Sequence, residues 1–185
     1  MPGEGTGLRL AAIVFALLLA ARLGGKVFLT QEEALKLAFP GATLERKTAF
    51  LTEAEQKEAA TLSGGAAPSA LAISYAATRN GRLVGTAYFD THVVRTQSET
   101  LMVVVDPEGA ILRIEVLSFS EPEEYLPREH WYAQFPGKRL DDELAVKRGI
   151  RAVSGATLTA HATTDAARRV LAIHRVLEKR AKKPA

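Results

Sequence analysis

The segment Val153–Thr159 combines hydroxyl side chains with small residues at the predicted start of the last helix. It reads Val-Ser-Gly-Ala-Thr-Leu-Thr and follows a strand-like stretch over residues 149–153. Free backbone N–H groups and the positive end of a helix dipole make such a position suited to a phosphate. Ser and Thr are also preferred at helix starts for purely structural reasons, as N-caps. The segment therefore predicts either a phosphate-binding site or a simple helix cap.

The histidines have no spacing typical of metal ligands. They are His92, His130, His161 and His174, and no two of them lie four residues apart as a metal-binding pair on one helix would. His161 follows Thr157 by four residues, which would place it beside a phosphate bound at the helix start. An exposed helical histidine without a ligand is the structural alternative for His161.

The composition excludes several kinds of chemistry. The 185 residues include no cysteine, which rules out disulfides, thiolate zinc sites, cysteine-ligated iron–sulfur clusters and a cysteine nucleophile. The formal net charge is +3, and the chain has no basic stripe with base-reading side chains. We therefore expect no nucleic-acid partner.

Residues 1–29 are predicted to be a membrane segment. Leu10–Ala21 is uninterruptedly apolar, and Arg22 and Lys26 can extend their charges out of the bilayer, so Leu8–Leu29 is long enough to cross. A cleaved signal peptide and a buried globular helix are the alternatives. We expect an uncleaved single-pass anchor in the cell membrane, with residues 30–185 on the extracytoplasmic, periplasmic side.

The remaining chain divides into three parts. Residues 30–64 form a predicted helical connecting region, with helices over Gln31–Phe39 and Thr52–Leu62; Thr52 and Glu55 suit a capping box. Residues 65–180 form the main domain, and residues 181–185 are a basic tail.

Residues 65–180 predict an antiparallel meander followed by a long helix. Alternating apolar residues begin at Leu71, and Asn80-Gly81 is a strong two-residue hairpin signal. The further predicted strands are Arg82–Phe89, Glu99–Val105 and Ala110–Phe119. An apolar stripe at helical spacing predicts a helix over about 160–179. The predicted fold is therefore α+β, an antiparallel β-meander flanked by helices, with a long C-terminal helix and an N-terminal membrane helix.

The segment Ser120–Arg139 between the sheet and the last helix is rich in aromatic residues. It contains Tyr125, Tyr132, Phe135 and the one tryptophan, Trp131. The segment either packs as a cover over one end of the sheet or forms a wall for a flat aromatic ligand. Its composition alone favours the cover.

Ser154-Gly155-Ala156-Thr157 followed by Leu-Thr, opening a C-terminal helix after an antiparallel sheet, resembles the FMN-binding domain family. Members of that family include the flavin-bearing periplasmic subunits of the sodium-pumping NADH:quinone reductase and of the Rnf complex. In the family, the Thr of this motif is joined to FMN through a phosphoester bond made by a flavin transferase that uses FAD and Mg²⁺. The resemblance implies that Thr157 is the attachment residue.

The resemblance also implies a flavin site around the motif. The motif residues fit the phosphate, and the aromatic segment fits the ring system. His92 and Arg95 would either supply a cation near the reduced ring or form a surface cluster at a strand end, which is the more common role of such residues. The candidate cofactor-binding residues are Ser154, Gly155, Ala156, Thr157, Leu158, Thr159, His161, Tyr125, Trp131 and His92.

These observations predict a membrane-anchored flavoprotein that relays electrons through FMN. Its expected partners are a flavin transferase and a membrane electron-transfer complex or other redox protein. Because no acid–base set accompanies the motif, we expect an electron-transfer subunit rather than an independent enzyme. The alternative is a non-redox ligand- or partner-binding module at the membrane surface, in which residues 154–159 serve only as a helix cap.

Overall fold

A computed structural model describes residues 26–182 and has the predicted α+β architecture. Six antiparallel strands form one sheet in the order β1-β6-β5-β4-β3-β2. The strands are β1 Lys26–Val27, β2 Thr43–Phe50, β3 Leu71–Arg79, β4 Arg82–Val93, β5 Ser98–Val105 and β6 Ile111–Phe119. From β2 to β6 each strand pairs with the next along the chain, which confirms the predicted meander.

The helices lie on the faces of the sheet and at its end. They are α1 Gln31–Ala38, α2 Glu53–Ser63, the short α3 Glu129–Tyr132 and the long α4 Thr157–Lys182, with a 3₁₀ turn over Glu123–Tyr125. The prediction for the last helix was right in kind but too short at both ends.

Local signals account for the first hairpin and for α2. Asn80 and Gly81 both have positive φ, 52° and 73°, as a tight hairpin turn between β3 and β4 requires. The predicted capping box of α2 is confirmed, because Thr52 accepts from the Glu55 amide while the Glu55 side chain accepts from the Thr52 amide.

Strand β2 is absent from the sequence-based prediction, which assigned its region to a helical connection. It pairs with β3 along its whole length, from Thr43–Thr78 to Phe50–Leu71. The strand lies at the edge of the sheet and six of its eight residues are exposed. Its pairing therefore depends mainly on backbone hydrogen bonds. Because so few of its side chains are buried, its sequence has little of the alternating apolar pattern that predicts a strand.

The two faces of the sheet have separate cores. Helix α4 and the aromatic segment cover one face, where Leu101, Val103 and Val105 of β5 point. Helix α1 covers the other face, against Met102 and Val104. The alternation along β5 makes it the buried centre of a three-layer arrangement. The end of the sheet beside the start of α4 carries the candidate site.

The predicted membrane segment lies almost entirely outside the described residues. Of residues 1–29, the structure describes only 26–29, which include the short strand β1 paired with β6. Within residues 26–182, no helix has both the length and the hydrophobicity that crossing a bilayer demands.

Candidate functional site

The segment between β6 and α4 is fixed by Trp131, which is 4% exposed and belongs to the core. Its indole Nε1 donates to the carbonyl of Arg151 at 2.7 Å, and the Arg151 amide donates to Gln134 Oε1 at 2.8 Å. Phe135 is fully buried beside Trp131. The aromatic segment therefore does pack as a cover, and it also positions the strand-like stretch that leads into the Ser154 motif.

The motif itself forms an exposed turn. Gly155 has φ +85°, a conformation that side chains beyond glycine rarely adopt, and a Cβ placed there would meet nothing within 4 Å. Ser154 and Thr157 are exposed on either side of it, whereas Ala156 is buried and anchors the turn. The glycine thus lets the chain reverse direction at the surface, and only small side chains, those of residues 154–156, immediately precede Thr157.

The two threonine hydroxyls in the first turn of α4 donate to carbonyls outside the helix. Thr157 Oγ1 donates to the Val153 carbonyl at 3.1 Å, and Thr159 Oγ1 donates to the Tyr125 carbonyl at 2.5 Å. The first helical hydrogen bond runs from the Ala160 amide to the Ala156 carbonyl at 2.9 Å. The amides of residues 157–159 precede it and have no intrahelical partner.

Helices α1 and α2 begin differently, because each has a capping box. In α2 the Thr52 hydroxyl accepts from the Glu55 amide at 3.3 Å, and two acidic residues lie in the first turn. The first turn of α4 contains no acidic residue, and no side chain among residues 26–182 accepts from its first three amides. The positive end of α4 is therefore left open to an anion.

One cleft, which we call the Thr157 cleft, joins this helix start to the β4–β5 loop. Its volume is about 180 Å³. It is lined by Val94, Arg95, Glu121, Tyr125 and residues 155–159. The structure thus brings six of the ten predicted site residues together with Arg95.

A second cleft, the Trp131 cleft, lies on the other side of the motif and has a volume of about 560 Å³. Trp131, Gln134, Arg128 and residues 151–154 line it, and Ala156 is shared with the Thr157 cleft. Its volume falls within the range of about 300–1,000 Å³ that is usual for small-molecule sites. Ser154 and Trp131 belong to this cleft.

His92 and His161 line neither cleft. His161 is exposed. His92 lies between two carboxylates, with Nδ1 2.9 Å from Asp90 Oδ1 and Nε2 3.0 Å from Glu99 Oε2. Burial opposes its protonation, but these hydrogen bonds raise the pKa of His92 to about 9. Arg169 completes the cluster by a bidentate contact with Asp90.

Glu121 is a residue of the site that the sequence pattern did not predict. Its Oε1 accepts from the Thr96 amide at 2.6 Å, the Gln97 amide at 2.8 Å and the Thr96 hydroxyl at 3.0 Å. The hydrogen bond from the Thr96 amide, chiefly, holds the pKa of the Glu121 carboxyl below its usual range. In an antiparallel meander the β4–β5 loop and the end of β6 lie at the same end of the sheet. The predicted meander therefore already implied that Glu121, just after β6, lies near that loop.

Residues 97–172 match the model of the FMN-binding domain family. This part of the chain, which runs from the β4–β5 loop to the middle of α4, belongs to that family, as the Ser154-Gly155-Ala156-Thr157 motif indicates. This match supports FMN as the cofactor of this protein. No curated protein matches the chain.

The residues present fit such a cofactor. The open amides at the start of α4 and the cation Arg95 line one cleft with Thr157, and this chemistry suits a phosphate group. The Trp131 cleft next to it is large enough for an aromatic ring system and has mixed apolar and polar walls.

Proposed function

We propose that this protein is a membrane-anchored, extracytoplasmic flavoprotein that holds FMN in a phosphoester bond to Thr157 and relays electrons in a membrane redox chain. The observation that carries the proposal is the open helix start at Thr157, inside a domain of the FMN-binding family. When bound, FMN supplies one- and two-electron transfer, while the protein supplies position and electrostatics.

The chain's own residues suit the attachment. A flavin transferase must reach the Thr157 hydroxyl, and Thr157 is exposed beside a glycine turn of small residues. In the transfer, the Oγ–P bond forms as the pyrophosphate bond of FAD breaks, AMP leaves and the hydroxyl proton is released. The Val153 carbonyl, which accepts that hydroxyl at 3.1 Å, orients Oγ1 before the reaction. The open amides of residues 157–159 would then hold the phosphodiester anion.

The alternative of a simple helix cap has less support. A cap requires a side-chain oxygen that accepts from an early helix amide, as the Thr52 hydroxyl does for α2. The hydroxyls of Thr157 and Thr159 instead donate to carbonyls outside α4. A helix cap alone would leave the exposed Thr157 hydroxyl and the open amides without a role.

The proposed partners follow from the same site. A Mg²⁺-dependent flavin transferase would load the domain from FAD, and a membrane electron-transfer complex or another redox protein would exchange electrons with it. The exposed Leu158 beside Thr157, at 55% exposure, offers such a partner an apolar contact next to the flavin.

Co-expression with a flavin transferase tests the covalent site. The full-length protein is separated on a denaturing gel, and flavin fluorescence is recorded in its band. We expect a fluorescent band for the wild type and for Ser154→Ala, which removes a neighbouring exposed hydroxyl. We expect a dark band for Thr157→Ala.

A dark wild-type band would overturn covalent attachment, and a fluorescent Thr157→Ala band would move the attachment to another residue. Electron transfer is tested separately, by following reduction of the loaded protein in membranes supplied with NADH. A flavin that stays oxidised whatever membrane electron donor is supplied would contradict the relay.

The anchor rests on residues 1–29 and has its own test. Full-length protein should stay in the membrane pellet after a carbonate wash, and protease added from the extracytoplasmic side should remove residues 30–185. Release into the wash as a shortened chain would favour the signal-peptide alternative.

A further inference from the structure

Arg95 is the one cation among the residues that line the Thr157 cleft. Its guanidinium carbon lies 5.5 Å from the centroid of the Tyr125 ring, within cation–π range. Arg95 forms no ion pair with any carboxylate of residues 26–182. The Glu121 carboxylate lines the same cleft and interacts electrostatically with Arg95, but it forms no ion pair with it, so the guanidinium can still donate to an anion in the cleft.

The surroundings hold Arg95 at this position. Glu121 binds both amides that follow Arg95, those of Thr96 and Gln97, and the Val94 amide donates to the Gln97 carbonyl at 3.0 Å. The loop is thereby closed on both sides of the arginine. Because Glu121 is buried and engaged with the loop, the loop is built before any ligand arrives.

Tyr125 links this loop to the helix start. Its ring lies under Arg95, and its carbonyl accepts from Thr159 Oγ1 at 2.5 Å. Arg95 and residues 157–159, whose amides are open, therefore line one cleft. At about 180 Å³ this cleft is smaller than the usual pocket for a drug-sized ligand, so it suits a phosphoryl group rather than a fused ring system.

We propose that Arg95 is the positioning residue that recognises the phosphoryl group of FMN and so makes the site prefer FMN to riboflavin. This proposal rests on the proposed flavin site. A guanidinium suits this task because its planar fork donates two parallel hydrogen bonds to phosphate oxygens. The residues of the Trp131 cleft, on the other side of the motif, would then hold the ring system.

The preference is tested on full-length protein in detergent, made without a flavin transferase and titrated with FMN and with riboflavin, which lacks the phosphate. We expect wild type to bind FMN at least about tenfold more tightly, the factor that one charge-assisted hydrogen bond supplies. Arg95→Gln should bring the two affinities together and leave that for riboflavin unchanged. Arg95→Lys should keep part of the preference.

Arg82→Gln is the matched control, because Arg82 is an exposed arginine at the opposite end of β4 and lines neither cleft, so it should leave the FMN-to-riboflavin ratio as in the wild type. Arg95 is exposed, so its replacement should not change the melting temperature of the free protein, which is checked alongside.

Three results would overturn the role of Arg95. They are equal losses for both flavins in Arg95→Gln, an unchanged ratio in Arg95→Gln, and a wild type that binds neither flavin or does not distinguish them. The denaturing-gel test of Thr157 uses the transferase and does not depend on this ratio. Failure of the Arg95 proposal is therefore distinguishable from failure of the proposed function.

Discussion

The indole N–H of Trp131 and the carbonyl of Arg151 are joined by a 2.7 Å hydrogen bond between two segments 20 residues apart. This contact fixes the approach to Ser154 from a residue that is itself locked in the core. The position of the flavin motif thus depends on the core of the sheet as well as on α4.

Replacing Trp131 by Phe should destabilise the fold. The change leaves the Arg151 carbonyl without its donor and opens space in the core, so we expect a loss of about 1–3 kcal/mol in the free energy of unfolding. Urea denaturation measures it. Tyr132→Phe is the control, because the Tyr132 hydroxyl is buried without a hydrogen-bond partner among the described residues. That control should change stability by less than about 0.5 kcal/mol; equal losses in both variants would contradict the role of the indole bond.

Gly155→Ala should cost stability through the backbone alone. The φ of +85° disfavours any Cβ, while the space around it is open, so we expect about 1 kcal/mol of destabilisation without a packing defect. Gly65→Ala is matched to it, because its Cβ would make only an ordinary contact of 3.7 Å and its φ is not in the left-handed region. Similar thermal melts for the two variants would argue against strain at Gly155.

The stability of the protein should fall as the pH rises from about 6.5 through about 9. The folded pKa of His92 is raised to about 9 from 6.5, so the imidazolium stabilises the fold fully below pH 6.5 and the contribution is lost above the folded pKa. The groups that face it are Asp90, Glu99 and, through Asp90, Arg169. The contribution is at most about 3 kcal/mol.

Thermal melts of wild type and His92→Gln from pH 6 to pH 10 check this dependence. The variant should be less stable at pH 6 and should lose less as the pH rises. His161→Gln, at an exposed histidine, should follow the wild type. A His92→Gln curve parallel to that of the wild type would show that His92 is not the group that titrates.

Glu121→Ala should loosen the loop that carries Arg95. The amides of Thr96 and Gln97 lose their acceptor, so their hydrogen exchange should accelerate by about tenfold or more. Glu124→Ala removes an exposed acid of the same segment and should leave both exchange rates as they are. Unchanged exchange in Glu121→Ala would mean that the loop is held by other contacts.

The fold was predictable where local chemistry decides it. Asn80-Gly81 and the Thr52–Glu55 capping box act within a few residues, and both were identified from the sequence. Strand β2 was not, because its exposed edge position places no apolar period in the sequence.

The site was predictable in its motif but less so in its surroundings. Thr157 was identified by resemblance, and the meander brings the β4–β5 loop to the same end of the sheet. Two contacts could not be predicted, because they depend on side-chain packing across three strands. Glu121 binds this loop, and His92 is enclosed by Asp90 and Glu99. Sequence spacing carries no record of such contacts.

The length of helix α4 sets the distance between the Thr157 site and the basic residues at the other end of the helix. Its 26 residues extend about 39 Å, with Thr157 at the first turn and Lys179, Arg180 and Lys182 in the last. All three of these cations pair with glutamates of this chain, so the basic end is largely neutralised. If the proposed flavin is held at Thr157, a protein docked at the far end of α4 would lie too distant to exchange electrons with it directly. A redox partner would therefore have to approach the first turn of α4 rather than the last.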